Sequence, residues 1–235
     1  MKKKDTEARF SFYKTHPKNC AADDFWGQVK RTVNGRPVSE EQIDIIVKEV
    51  SAGLDMQNYD MLLDICCGNG ALSSLFFDQC RGGLGVDFSE ILIDIAQKNF
   101  MKLGHDYLLA DAFEFTRAPL QPERFTKILC YGSFAYLEAK SAKAILQNCY
   151  IKFPNALVFY IGNCPDKAHL HKFFRPENYV QGIEDDPASA IGIWRTKDEF
   201  ASMAQAAGWS AEFKSMPEHF YASNYRYDVI LRRSK

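Results

Sequence analysis

The stretch 61-MLLDICCGNGALSSLF-76 sets the reading of the whole chain. Its first five residues are apolar except for Asp64, as expected of a strand buried on both faces of a sheet. A turn carrying Gly68 and Gly70 follows, and then an apolar segment of helical character. A strand, a glycine turn and a helix in that order let a ligand approach the backbone closely at the turn. The adjacent Cys66 and Cys67 raise a rival reading, metal or dithiol chemistry at the same place.

The rest of the chain speaks against that rival. Seven cysteines occur, Cys20, Cys66, Cys67, Cys80, Cys130, Cys149 and Cys164, an odd number at irregular spacing. No C-x-x-C pair and no Cys/His cluster with zinc-like spacing accompanies them, so no metal site is expected. They read as small buried hydrophobes in a reducing, cytoplasmic setting. The 235 residues, 46% apolar and 25% charged, suit one α/β domain with additions. A formal net charge of −1 gives no electrostatic reason to expect a nucleic-acid or anionic-membrane partner. No apolar run approaches the ~20 residues of a membrane span. The 1-MKKK-4 start lacks a following apolar region and reads as a frayed terminus, not a secretory signal.

Upstream of the strand, residues 1–57 read as a helical N-terminal cap. Segment 10-FSFYKTHPKN-19 is aromatic and basic, and 22-ADDFWGQVKRTV-33 predicts a helix entered through acids and ended by Asn34-Gly35. Ser39 and Gln42 form a capping-box pattern opening 40-EEQIDIIVKEVSAGL-54. In that segment Ile43, Ile46, Val47 and Val50 share a face and Gly53 suggests the stop.

Downstream, residues 58–235 alternate strand and helix. Strands are expected near 61–65, 83–87, 106–110, 127–131 and 156–161, with helices near 71–80, 89–102 and 139–150. This predicts a doubly wound, Rossmann-like parallel sheet with helices on both faces. Segment 163–195 breaks the rhythm with prolines, glycines and aromatics, and reads as an ordered lid insertion. Thr196 and Glu199 make a second capping box opening 197-KDEFASMAQAAG-208. Segments 209-WSAEFKSM-216 and 225-YRYDVILRR-233 read as a closing hairpin of strands.

Which cofactor the turn holds is decided by its neighbours. A phosphate-cradling loop would need Gly-Lys-Ser/Thr, which is missing. A dinucleotide fingerprint would need a third glycine or alanine where Ser73 stands. Asp64 lies inside the first strand, Asp87 ends 83-GLGVD-87, and Asp111 ends the third strand in 107-YLLADAF-113. A carboxylate at the end of the second strand can accept hydrogen bonds from ribose hydroxyls. At this point the chain resembles the class I S-adenosylmethionine (SAM)-dependent methyltransferases. Their acidic-x-Gly-x-Gly-x-Gly motif is matched by 64-DICCGNG-70, their ribose acid by Asp87 in 85-GVDFSE-90, and their adenine-side acid by 110-ADAF-113. Cys66 stands where the family has its first glycine; its Cβ resists positive φ, so the close approach to the cofactor falls to Gly68 and Gly70. Within the class, the wording is similar to small bacterial enzymes associated with sugars or secondary metabolites. The resemblance implies a seven-stranded sheet whose last strand is antiparallel and lies beside strand five.

It also implies SAM as cofactor, held by Asp64, Cys66, Gly68, Gly70, Asp87, Phe88, Asp111, Ala112, Phe113 and Tyr131. Phe88 would face the adenine, with Ala112 and Phe113 adding a backbone N–H and an apolar wall. The carboxyl end of the fourth strand, 131-YGSFAYLE-138, should face the transferred methyl group. Tyr131, Ser133 and Tyr136 there, Trp26 in the cap, His169 in the lid and Tyr221 in the last loop are candidate substrate contacts. Tyr131 and His219 are the candidates for catalysis, since an imidazole accepts a proton near neutrality. Packing and solvation account for each of these residues equally well at this level. Lys30 and Arg31 could meet the carboxylate of the cofactor. The reaction expected is methyl transfer to an oxygen or nitrogen of a small molecule enclosed by cap, lid and last loop. Two alternatives share the cofactor. One is self-cyclisation of SAM to azetidine-2-carboxylate with release of methylthioadenosine; the other is a SAM-binding scaffold without turnover.

Overall fold

The computed structural model describes residues 14–233. The 1-MKKK-4 start and residues 10–13 of the aromatic, basic segment lie outside the described residues. At the centre of the sheet is strand β1 (Met61–Ile65), in which Leu62, Leu63 and Ile65 are fully buried. It is flanked by β2 (Gly82–Asp87) and, beyond that, β3 (His105–Leu109). On its other side come β4 (Lys127–Tyr131), β5 (Val158–Pro165), β7 (Arg226–Arg233) and β6 (Trp209–Lys214). The order is β3-β2-β1-β4-β5-β7-β6, with β7 antiparallel to both neighbours and the other pairs parallel. This is the expected Rossmann-like seven-stranded sheet with its antiparallel final strand beside strand five.

Strand alternation sorts the core into two layers. Leu63 and Ile65 join Ile128, Cys130, Phe159 and Ile161 on one face. That face is covered by α5 (Ala112–Arg117), α6 (Ala139–Lys152) and α7 (Lys197–Ala206), whose Phe115, Leu146 and Phe200 belong to the same layer. Leu62, Leu129 and Tyr160 point to the opposite face. There α2 (Glu40–Leu54), α3 (Ala71–Phe77) and α4 (Glu90–Phe100) pack Ile46, Phe76 and Ile93 against them. The capping box at Thr196 and Glu199 is formed as expected.

Several local expectations are corrected. The helix expected over 22–33 is one short turn, α1 (Phe25–Gln28). The chain leaves it through Lys30 at φ 57°, and β-branched Thr32 and Val33 pair with Pro37 and Arg36. Asn34 and Gly35 both have positive φ, the requirement of a tight two-residue hairpin, so Asn-Gly turns a hairpin rather than ending a helix. Ser39 occupies the N-cap of α2 without a side-chain bond. Its supposed box partner Gln42 instead reaches the last loop, donating to the His219 carbonyl at 3.1 Å and accepting from Tyr221 N at 2.8 Å. The β5 strand starts two residues later than expected and continues through a bulge between Ile161 and Cys164 to Pro165. Between β5 and α7 the described chain makes three short 3-10 turns, pinned by Phe173, Phe174 and Trp194 against Tyr225.

Gly53 does not end α2; the helix runs on to Leu54 and is capped by left-handed Asp55. The glycine lets the helix touch the sheet. A Cβ there would lie 2.4 Å from the ring of Tyr160, which is fully buried and hydrogen-bonded to Asp228. An exposed helical Gly→Ala change gains about 1 kcal/mol, whereas overpacking a fixed neighbour costs about 1–3 kcal/mol. Gly53→Ala is therefore expected to lower stability in urea unfolding; a gain would mean that Tyr160 yields.

Candidate functional site

The loop after β1 is built from backbone that side chains resist. Cys66 has φ 62°, Gly68 62° and Gly70 77°. Contrary to expectation, Cys66 itself adopts the left-handed conformation that its family's glycine takes without cost. Gly70 allows the turn to pass Tyr107 and Ala96, which a Cβ would meet at 2.7 and 2.9 Å. The Tyr107 hydroxyl donates to the Gly70 carbonyl.

Two of the motif acids hold this loop. Asp87, at the end of β2, accepts from Gly68 N at 3.0 Å with one oxygen and from Ser89 N at 2.9 Å with the other. Asp64 accepts from the Ser73 hydroxyl at 2.5 Å, so the residue that breaks the dinucleotide fingerprint satisfies the buried acid of the motif. Both carboxyls are nearly inaccessible. Burial pushes Asp64 up to about 7 against the Ser73 bond and the Arg31 charge, and Asp87 up to about 6 against the backbone N–H groups of Ser89, Gly68 and Phe88.

Beside Asp87, a cleft of about 380 Å³ opens at the carboxyl ends of β2 and β3. It is lined by Lys14, Phe88, Glu90, Leu109, Ala110 and Asp111. Asp111 caps α5, its Oδ1 accepting from Phe113 N and Glu114 N. Ala112 is buried in the core and Phe113 packs against that layer.

The N-terminal segment closes over the glycine turn through contacts that local pattern did not reveal. Asn69, 2% exposed, donates to the Phe25 carbonyl at 2.7 Å and to Gln28 Oε1 at 2.9 Å. Val29 sits where a Gly68 Cβ would be, at 2.9 Å. From here Arg31 projects between the rings of Trp26 and Tyr131, 5.4 and 5.5 Å from their centroids.

At the β4 end, the Tyr131 ring is buried and its hydroxyl has no hydrogen-bond partner. Burial and the nearby Asp228 charge push this phenol well above its usual value, so it stays protonated. Ser133 donates to the Cys66 carbonyl at 3.4 Å, and Tyr136 donates to the Ala190 carbonyl at 3.0 Å. Tyr221 shares a side-chain hydrogen bond with Asn163 and feels the charges of Arg31 and Arg226. Tyr131, Tyr221, Trp26 and Arg31 are thus brought together with the glycine loop. His169 is held by Asp166 at 2.9 Å, and His219 is exposed and contributes its carbonyl to Gln42. Neither imidazole is in contact with this group among the described residues. Asn69, Asn163 and Arg226 escaped the sequence reading, because nothing in their neighbours marks them.

Comparisons with known proteins agree with this architecture. Residues 62–151 match the family model of a methyltransferase domain. No curated protein matches the chain significantly in sequence. Among solved structures, a DhpI–SAM–HEP complex superposes with a TM-score of 0.65 at 14% identity, covering 95% of this chain and 96% of that one. Magnesium protoporphyrin IX methyltransferase (ChlM) from Synechocystis PCC 6803, solved with bound SAH, gives 0.61 at 15% identity over 83% of each chain. A SAM-dependent methyltransferase from Clostridium acetobutylicum ATCC 824 gives 0.61 at 12% identity, over 84% of this chain and 93% of that one. The chain has the fold of the class I methyltransferases.

Two measurements check the loop. With Asp64 at about 7 folded and about 3.9 unfolded, the folded protein keeps a proton that the unfolded chain has lost between those values. That contribution is complete below about pH 4 and is lost as pH rises through about 7, so stability should fall from pH 5 to pH 8. Asp64→Asn should flatten the fall in urea unfolding; an equal slope would refute the assignment. At Cys66, relief of left-handed strain and the added freedom of the unfolded chain oppose each other at about 1 kcal/mol each. Cys66→Gly should therefore leave stability within about 1 kcal/mol, whereas β-branched Cys66→Val should lose more than about 2 kcal/mol.

Proposed function

We propose that the chain is a SAM-dependent methyltransferase acting on an oxygen or nitrogen nucleophile of a small molecule. The observation that carries this reading is the pairing of Asp87 with Gly68, beside a cleft lined by Phe88 and Asp111. It unites on one edge of the sheet the three motifs that the fold family uses for its cofactor. The residues fit SAM. The cleft is of small-ligand size, the Asp111 carboxylate borders it, and Asp87 and the glycine turn stand beside it.

When bound, SAM supplies an electrophilic methyl on its sulfonium. Asp87 would meet the ribose through its small exposed edge, its oxygens already accepting backbone N–H groups that include those of Gly68 and Ser89. Phe88 would offer an apolar surface to the adenine, and Asp111, whose Oδ1 is occupied by the helix cap, would offer Oδ2 to its amine. Asp64 acts through the turn, holding α3 against the loop by way of Ser73. Arg31, its guanidinium lying over the Trp26 and Tyr131 rings, would receive the methionine carboxylate. Tyr131, kept protonated, donates a hydrogen bond to the acceptor and does not act as a base. Ser133, Tyr136 and Tyr221 line the acceptor side, with residues 1–57 as cap and 163–195 as lid. Positioning and exclusion of water supply the rate gain.

The protein should be incubated with SAM, with and without a pool of small acceptors, and the nucleoside product identified. Acceptor-dependent S-adenosylhomocysteine supports methyl transfer. Acceptor-independent methylthioadenosine would assign self-cyclisation instead, and binding without product would assign a scaffold. Asp87→Ala should weaken SAM binding more than about tenfold, some 1.4 kcal/mol or more, in calorimetry. Unchanged affinity would sink the placement of the ribose.

A further inference from the structure

The carboxyl ends of β4 and β5 and the start of β7 enclose a polar cluster that the cofactor does not need. The β5 bulge places Asn163 at φ 64°, and its backbone N donates to Asp228 Oδ1 at 2.6 Å. Asp228 is fully buried, and its other oxygen accepts from the Tyr160 hydroxyl at 2.5 Å. The carboxylate is therefore occupied by two neutral donors that fix the bulge. Arg226, two residues before it, donates through Nη1 to the Asn163 carbonyl at 2.5 Å and lies over the Tyr225 ring. Its Nε is shielded from solvent and has no partner. Two more shielded atoms nearby are in the same condition, the Tyr131 hydroxyl and Asn163 Oδ1.

Asn163 and Arg31 both approach Gly132, whose φ is 80°. A Cβ there would lie 3.7 Å from Asn163 Nδ2 and 3.9 Å from Arg31 Nη2. Arg31 and Arg226 both act electrostatically on Tyr131 and Tyr221. Among the described residues, neither guanidinium forms an ion pair with a carboxylate. Two partly buried cations at one edge are costly unless a ligand brings negative charge, because the acids that feel them, Asp64 and Asp228, are already hydrogen-bonded by neutral donors and pair with neither. Arg31 is assigned above to the methionine carboxylate, which leaves Arg226 with a Tyr225 side-chain bond and phenol neighbours but no carboxylate partner.

We infer that the acceptor is an acid, and that Arg226, with the Tyr131 hydroxyl, receives its oxyanion at the β4–β5–β7 edge. The inference rests on the methyltransferase reading of the same site. It narrows the acceptor to small molecules bearing a carboxylate or a phosphate-type group. The orphan Asn163 Oδ1 accepts an O–H or N–H on the same molecule. The oxygen or nitrogen of that group would take the methyl as the S–CH₃ bond breaks to release S-adenosylhomocysteine, and the displaced proton would pass to the neighbouring oxyanion of the same molecule. A guanidinium suits either oxyanion, because its planar fork presents paired donors.

The test uses calorimetry on the full chain. Affinity for S-adenosylhomocysteine is measured first, and the saturated protein is then titrated with acetate, methylphosphonate and neutral acetamide. At least one of the two anions should bind and acetamide should not. The tighter anion distinguishes a carboxylate site from a phosphate-type one. Arg226→Gln should weaken the anion at least about tenfold while S-adenosylhomocysteine stays within about twofold, and Arg226→Lys should recover part of the loss. Binding of neither anion, equal binding of acetamide, or anion affinity unchanged in Arg226→Gln would overturn the inference. Failure of S-adenosylhomocysteine to bind would overturn the cofactor reading instead, and the same titrations on the unliganded chain would then decide the anion site.

Discussion

The hydrogen bond from Gly68 N to the Asp87 carboxylate is the contact on which the site depends. It ties the turn after β1 to the tip of β2, and so fixes the loop relative to the cleft at Phe88 and Asp111. Everything laid on that loop inherits its position. Asn69 clasps α1 beneath Phe25 and Gln28, Val29 covers Gly68, and Arg31 is thereby delivered between Trp26 and Tyr131. A charge-assisted bond to backbone N–H is about twice as strong as a neutral one, which suits it to hold a turn that Cys66 strains.

The electrostatics of the site are lopsided in an informative way. Its three buried acids, Asp64, Asp87 and Asp228, are each hydrogen-bonded by serine, tyrosine or backbone donors, with no arginine or lysine within ion-pair distance. Desolvation outweighs those bonds and raises all three. The arginines at the same edge lack the carboxylates that burial normally requires. Those acids are thus satisfied from within, while three buried polar atoms without a partner, Tyr131 Oη, Asn163 Oδ1 and Arg226 Nε, lie at the carboxyl ends of β4 and β5, where open α/β sheets receive ligands. The same separation gives Tyr131 its character: a phenol that cannot ionise is a donor held ready.

Much of the fold was legible because it follows short-range rules. The buried run of β1, the alternation of strands and helices, the Thr196–Glu199 box and the closing hairpin all depend on residues a few positions apart. Where the reading failed, a distant partner or a backbone demand had overridden the local pattern. Gln42 sits at the position of a capping box but bonds to residues 177 and 179 positions further along the chain. Gly53 looks like a helix stop and is instead the point of contact with Tyr160. Asn34-Gly35 was recognised as a turn, but the β-branched residues before it made the turn a hairpin.

By itself, the sequence determined the strand–turn–helix at its centre, the parallel sheet around it, and the acids at the ends of β1, β2 and β3, because periodicity and glycine placement are local properties of the chain. Only the tertiary structure decided that Ser73 answers Asp64, that Asn69 holds the N-terminal segment on the loop, and that Arg31, Tyr131, Asn163 and Arg226 meet at one edge. Those residues come from segments as far apart as positions 31 and 226. What brings them together is the crossing order of the strands and a one-sided bulge in β5, and neither leaves a periodic mark in the residues that it joins.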